Sequence, residues 1–339
     1  MKDALIFGQD NTERIVAVEA GDEVNGSFQI DMFVRDSAGI SVVKKDFQPY
    51  VYLSDNRSTE LTDIKPVQMT ELDGTDKFRW RASFKSWTDL QEFRKQLAKQ
   101  QPDASSSVFW INDPVVLFML ETGITLFKGM AFDDLRRVQI DIETDTEPGY
   151  DFCNPSRKGD IILAIGIGDS HGTYTALSSH KDGEKALLKQ FVEIIRELDP
   201  DVIEGHNIFG FDLPYIEKRA SMHRVKLDLG RNNTKMTGRN SRFSVAERTT
   251  SFKRFSIPGR HIVDTYFMAQ MFDVSSRDIE SFSLKSLAKH FGVTPENRVY
   301  IEGSKIAESF KTDPEKALRY LEDDIKETRA LSDIFSPVY

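Results

Sequence analysis

Two carboxylates stand two residues apart on an apolar strand in Val138-Gln139-Ile140-Asp141-Ile142-Glu143. Side chains alternate along a strand, so Val138, Ile140 and Ile142 point one way and Gln139, Asp141 and Glu143 the other, with Asp141 and Glu143 about 6–7 Å apart at Cα. Two anions on one face repel, and a fold keeps them there mainly where a divalent cation, or a proton shared between the acids, offsets the repulsion. The spacing offers a metal site. Asp-x-Glu at the end of a strand is also common as a plain solvated face, so more carboxylates are needed to choose between the two readings.

Two further segments supply them. In Gly205-His206-Asn207-Ile208-Phe209-Gly210-Phe211-Asp212-Leu213-Pro214, Asp212 lies where a strand has ended and a helix begins, with Pro214 in the first turn, where its missing N–H costs little. Taken alone, Asp212 reads as an N-cap. The third segment is a helix expected to begin around Asp313-Pro314 and run to about Phe335. Tyr320 and Asp324 are four apart there, on one face beside the seam of Leu321, Ile325 and Leu331. Taken alone, Asp324 reads as a surface acid of the run Glu322-Asp323-Asp324.

The elements that must hold these residues fall into two parts, expected at 1–131 and 132–339. In the first, residues 4–7, 15–19, 27–35, 40–45, 50–53 and 80–84 look extended between Gly, Asn and Asp turns. Thr88 and Gln91 form a capping-box pattern before a helix with Leu90, Phe93 and Leu97 on one face. This part reads as a mixed α+β accessory domain. In the second, 138–143, 161–168 and 173–177 are spaced as a three-stranded meander. An amphipathic helix follows, with Leu187, Leu188, Phe191, Ile195 and Leu198 on one side, ended by Asp199-Pro200, and Val202-Ile203-Glu204 restarts a strand. Three strands, a crossover helix and a fourth strand open an α/β, ribonuclease-H-like mixed sheet with helices on its faces. Asp264, after another apolar run, reads as a helix cap. His206 reads as a strand-end hydrogen-bonding residue.

At 339 residues the chain fits two domains, or one domain with a large appendage, and with 39% hydrophobic and 29% charged residues its composition is that of an ordinary soluble protein. No run approaches the roughly 18 apolar residues of a membrane span, and no secretory signal is visible. The single Cys153 excludes an internal disulfide and Cys-rich zinc sites, so a cytoplasmic location is expected. The net charge of −9 hides an asymmetry: between Lys218 and Arg260, twelve Lys or Arg face two acids, Asp228 and Glu247, a local +10 against −19 elsewhere. Such a stretch is an electrostatic footprint for a polyanion. Phe243, Phe252 and Phe255 are interleaved with it and are placed either to stack on bases or to pack in a core beneath a solvated loop.

Asp-x-Glu on the first strand of the sheet, Asn-x-x-x-Phe-Asp after the fourth and Tyr-x-x-x-Asp on the last helix occur together and in order. The set resembles the three motifs of the DnaQ-like, four-carboxylate 3′–5′ exonucleases with Tyr in the third motif, and above all the proofreading domain of family B DNA polymerases. Asp141-Ile142-Glu143-Thr144 is similar to the first motif, Asn207 with Phe211-Asp212 to the second, and Tyr320 with Asp324 to the third. Phe282-Ser283-Leu284-Lys285-Ser286-Leu287-Ala288-Lys289 before Phe291-Gly292, and the stretch 117–123, agree with it. The resemblance covers 108 to the end well and the earlier residues loosely. Two departures stand out: the family's palm signature Tyr-x-Asp-Thr-Asp is absent from these 339 residues, and Trp110-Ile111-Asn112-Asp113-Pro114 replaces an acidic, aromatic strand.

The resemblance implies four carboxylate ligands, Asp141, Glu143, Asp212 and Asp324, for hard cations: Mg²⁺, with Mn²⁺ as substitute. Asp141 would bridge two ions roughly 3.5–4 Å apart, Glu143 and Asp324 completing one shell and Asp212 serving the other through water. Tyr320 would orient the attacking water. Asn207, Phe211 and Thr144 would contact the terminal nucleotides, the substrate being single-stranded or frayed 3′ ends of DNA and the product 5′-mononucleotides. A polymerase domain or other replication proteins are the implied partners. Two competing readings are a non-catalytic nucleic-acid-binding module, suggested by the +10 stretch, and a standalone exonuclease acting on RNA, since the acids do not themselves exclude a 2′-hydroxyl.

Overall fold

The computed structural model describes residues 9–24, 27–73, 77–100 and 107–338. The strand expected at 4–7 lies outside them. The chain divides into two compact units, Met1–Met130 and Ala131–Tyr339.

The first unit holds two antiparallel sheets. One runs β1 (Ile15–Val24), β2 (Ser27–Asp36), β3 (Gly39–Phe47) in order; the other is ordered β5 (Gln68–Glu71), β6 (Trp80–Ser83), β4 (Tyr50–Leu53), β7 (Val108–Phe109). Helix α1 (Trp87–Gln100) buries Leu90, Phe93 and Leu97 with Val51, Leu53, Ala82 and Val108, the side chains that β4, β6 and β7 turn to one face. Its N-terminus differs from the expected capping box. Ser86 Oγ accepts from the Asp89 N–H at 3.0 Å, while Thr88 N–H and Oγ1 turn to Glu23. Thr88 is already inside the first turn, so it cannot cap it. Trp110–Pro114 leads into α2 (Pro114–Thr122), where Asp113 accepts from the Val115 and Val116 N–H groups and Pro114 supplies a preset φ.

The second unit is built on one five-stranded mixed sheet, ordered β10 (Tyr174–Ser178), β9 (Ile162–Asp169), β8 (Arg137–Thr144), β11 (Val202–Gly205), β14 (His261–Asp264). The first three strands pair antiparallel as a meander and β8, β11 and β14 run parallel. Val138, Ile140 and Ile142 of β8 join one core with Leu187, Leu188, Phe191 and Ile195 of α4 (Glu184–Leu198), which follows the short α3 (Ser179–Asp182), and with Leu213 and Ile216 of α5 (Asp212–His223). The other face of the sheet belongs to α9 (Pro314–Phe335), which Asp313 caps through the Lys316 N–H.

Two glycines set how close α9 comes. Gly166 is the register partner of Asp141, and Gly168 that of Gln139, so both lie on the α9 face of β9. A Cβ on Gly166 would stand 2.9 Å from Leu321 Cγ, and one on Gly168 2.5 Å from Ile325 Cγ2. Only hydrogen fits there. Helix α6 (Thr265–Ser276), α7 (Leu284–His290) and the end of α9 share a further core of Ala269, Ile279, Leu287, Leu331 and Phe335, which fixes α7 beside α9. Helix α8 (Ile306–Thr312) precedes α9, and a long hairpin of β12 (Thr237–Val245) and β13 (Arg248–Ser256) rises between α5 and β14 in the chain. No helix among the described residues is long and apolar enough to cross a membrane.

Candidate active site

Strand β8 presents Asp141 and Glu143 toward α9, and α9 presents Asp324 back. A ligand oxygen from each of Asp141, Glu143 and Asp324 lies within 4.8 Å of the others. Asp324 and Glu143 are buried and Asp141 partly so. Asp212 comes from the other side of the β8 end. It occupies the first turn of α5, but its Oδ1 accepts from the Ile142 N–H of β8 at 3.2 Å, so it ties helix to strand instead of capping its own helix. The loop that delivers it is stapled by Asp264, whose carboxylate accepts from the N–H groups of Asn207 and Phe209 and caps α6 through the Tyr266 N–H. Asn207 sits at φ 61, a left-handed conformation Asn tolerates, with its side-chain amide where any Cβ on Gly210 would stand.

The electrostatics of this cluster are those of anions short of cations. Burial, then the charges of Asp212, Asp324 and Glu143, hold the Asp141 carboxyl well above the usual range. Burial and Asp324 push Glu143 up to about 8, and burial with Asp264 pushes Asp212 to about 8. Asp324 is raised by burial although Lys285 and Arg298 oppose it. Carboxylates with oxygen donors only, converging and mutually repelling, suit a hard divalent cation. The residues fit such an ion.

Tyr320 is 5% exposed, and burial and the neighbouring acids hold its phenol well above the ordinary value, so it stays protonated. Lys285 of α7 donates to the Tyr320 hydroxyl at 2.6 Å and lies 3.5 Å from Asp324 Oδ1. Lys285 stands 35 residues from Tyr320, and no spacing rule ties the two together. Arg298, buried against Asp324, was equally invisible to motif reasoning.

A cleft of about 990 Å³ opens at Asp141 and Asp212. Asn207 and Phe211 line it, together with Tyr266, Phe282 and Arg248, and Phe211 is 36% exposed. Thr144 ends β8 beyond a register shift and is not among the lining residues. His206 hydrogen-bonds Thr265 Oγ1 and the Phe282 carbonyl, both at 2.9 Å, and burial pushes it down to about 4, leaving it neutral.

The basic stretch differs from expectation. Arg219, Arg231 and Arg260 are buried in ion pairs with Glu184, with Asp199 and Asp201, and with Asp199, and Lys253 pairs with Glu217. Arg239, Arg242, Arg248 and Arg254 remain exposed on the hairpin. The three phenylalanines do not face solvent for stacking on bases. Phe243 stacks on Phe267 at 4.3 Å, Phe252 packs on Phe209 and Phe267, and Phe255 is 2% exposed, because the hairpin needs an apolar root in the core.

The DNA polymerase family B exonuclease domain matches residues 177–287 of the chain. Among relatives, a DNA polymerase of Pyrococcus glycovorans is 24% identical over 337 residues, covering 91% of this chain and 40% of that protein. DNA polymerase 2 of Aeropyrum pernix is 30% identical over 207 residues, 60% of this chain and 23% of that one. In fold, the family B DNA polymerase of Pyrobaculum calidifontis superposes with a TM-score of 0.75 at 22% identity, over 95% of this chain and 45% of that chain. The chain spans about two fifths of the first relative's length. With an exonuclease-domain match over residues 177–287, related sequence along nearly all of it and a shared fold, the chain is similar to the exonuclease-bearing part of family B DNA polymerases.

Proposed function

We propose that the second unit is a 3′–5′ exodeoxyribonuclease that hydrolyses single-stranded or frayed 3′ ends of DNA to 5′-mononucleotides. The observation that carries it is the meeting of Asp141, Glu143 and Asp324 oxygens within 4.8 Å, with Asp212 alongside, at the head of the cleft. Mg²⁺ is the expected ion and Mn²⁺ its substitute, and Asp141, Glu143, Asp212 and Asp324 are the residues that would hold it. When bound, the ions supply Lewis acidity, making water a nucleophile at neutral pH and offsetting charge that builds on the phosphate.

The protein's own groups position the reactants. Tyr320, fixed by Lys285 and kept protonated so that it offers no phenolate base, holds the attacking water by a hydrogen bond. Asn207 and Phe211 contact the terminal nucleotides, Phe211 with its exposed ring, and Thr144 contacts them from the strand end. A duplex must unpair before its terminal phosphate reaches buried carboxylates, which favours frayed ends. The relatives are DNA polymerases, so the activity is assigned to proofreading beside a polymerase domain in the cytoplasm.

Incubation with 3′-labelled single-stranded DNA and Mg²⁺ tests this. Mononucleotides are expected from the wild type and none from Asp141→Ala. Equal release by the two would sink the proposal, and faster release from an RNA oligomer of the same sequence would move the substrate from DNA to RNA.

A further inference from the structure

Asp324 is gripped from behind by a residue on a separate segment. Arg298 lies in the loop between α7 and α8, its side chain 2% exposed. Its guanidinium donates through Nη2 to Asp324 Oδ1 and through Nε to Glu327 Oε1 at 3.0 Å, and Nη1 lies 3.6 Å from Asp323 Oδ2. Nη1 also donates to the Tyr320 carbonyl at 3.4 Å, and the guanidinium sits 5.0 Å from the Tyr320 ring centre. The next residue, Val299, donates its N–H to Asp323 Oδ2 at 2.8 Å. One planar fork therefore touches both Tyr320 and Asp324 and fastens the turns of α9 that carry them.

A single buried arginine balances one carboxylate, and gathering three around it is expensive if stability alone is served. Glu327 Oε2 is left buried without a partner, which marks the arrangement as poorly optimised for an ordinary ion pair. What the fork does well is orient. Its donors are rigidly spaced, so anchoring Nε on Glu327 dictates where Nη2 meets Asp324. Lys285 approaches the same oxygen, Oδ1, so both protein cations converge on one side of the Asp324 carboxylate.

We propose that Arg298 is a positioning residue of the site: by fixing Oδ1, it turns the Asp324 carboxylate so that its second oxygen is presented to a cation shared with Asp141 and Glu143. The inference rests on reading Asp324 as a metal ligand. Groups that orient ligands from behind typically carry 10–100-fold in metal affinity. Lysine would keep the charge but not the fork, because a point charge cannot hold Glu327 and Asp324 in fixed relation.

The test is calorimetric titration of the full chain with Mn²⁺ alone, on the wild type, Arg298→Lys, Arg298→Met and Asp141→Ala, each well below its own melting temperature. Expected are binding by the wild type, roughly 10–100-fold weaker binding by Arg298→Met and an intermediate value for Arg298→Lys. Wild-type or tighter affinity in Arg298→Met overturns the inference, because a purely structural arginine would lower the melting temperature and leave the affinity of folded protein untouched. If Arg298→Met does not fold, Arg298→Lys decides on the same criterion. Failure of the wild type to bind Mn²⁺ overturns the metal reading itself, and this inference with it. Binding by the wild type that Asp141→Ala abolishes and Arg298→Met keeps at full strength overturns the Arg298 role alone.

Discussion

Among the carboxylates of the second unit two groups contrast, one held by cations and one short of them. Around α4 and α5, Glu184 accepts from Arg219, His223 and the Ile162 N–H. Asp199 accepts from Arg231 and Arg260, and Asp160 from Arg157 and the N–H groups of Glu147 and Asn154. Glu184 and Asp160 are buried and Asp199 is partly so, yet partners hold each below its ordinary value. At the sheet's working end, Glu143 and Asp212 are buried and Asp141 partly so, and all three stand above theirs. The same residue types thus serve as mortar in one place, where cations saturate them, and as an unsatisfied demand for cations in the other.

Removing one acid from the unsaturated set should show the largest effect. Asp141→Ala is expected to lower nucleotide release by roughly 10⁴-fold, about 5.5 kcal/mol of transition-state stabilisation, while leaving the metal-free protein no less stable. Retained turnover with a lowered melting temperature would place Asp141 among the structural acids. On the saturated side, Arg219→Met takes two charged donors from Glu184, leaving it His223 and the Ile162 N–H, and removes donors from the carbonyls of Pro155, Arg157 and Lys158. A loss of about 3–5 kcal/mol in urea unfolding is expected, with turnover per folded molecule kept. A loss under about 1 kcal/mol would place Arg219 among the surface pairs.

His206 gives a pH-dependent version of the comparison. Its folded value is depressed from 6.5 to about 4, so the unfolded chain takes up the proton first as pH falls. Stability from this group is whole above about pH 6.5 and declines toward pH 4, by up to about 3 kcal/mol. In His206→Gln that part of the slope should disappear in urea melts at pH 7.5, 6 and 4.5, and parallel curves for the two proteins would refute it. The smallest effect is expected from Gly168→Ala, whose methyl would meet Ile325 Cγ2 at 2.5 Å. Pushing α9 outward should cost about 1–3 kcal/mol and slow turnover with it. If stability falls and turnover does not, the depth of α9 is not what sets the site.

What was legible beforehand follows from the range of the forces involved. Strand β4 at Tyr50–Leu53, the meander, α4 with its apolar face and the cap Asp313 of α9 are written in alternation, periodicity and turn chemistry, which act over a few residues. The two glycines of β9 were visible as residues, but their role needs α9, more than 150 positions later. The start of α1 was misplaced by two residues because Ser86, Thr88 and Gln91 all suit a helix terminus and only packing chooses among them. The basic stretch misled for a different reason: a charge count cannot tell that Arg219, Arg231 and Arg260 have distant acids waiting for them. The contacts of Lys285, whose segment fitted the resemblance without a role, and of Arg298 escaped on the same ground, since their partners on α9 lie 35 and 26 residues away.

The aromatic root of the β12–β13 hairpin has one more consequence. Phe243 and Phe252 anchor the ribbon on Phe267, while the turn at Ala246 and Glu247 stays in solvent. That sets a cutting line for protein engineering: trimming or grafting beyond Val245 and Arg248 leaves the anchor whole, whereas a deletion reaching Phe243 unplugs the domain's interior.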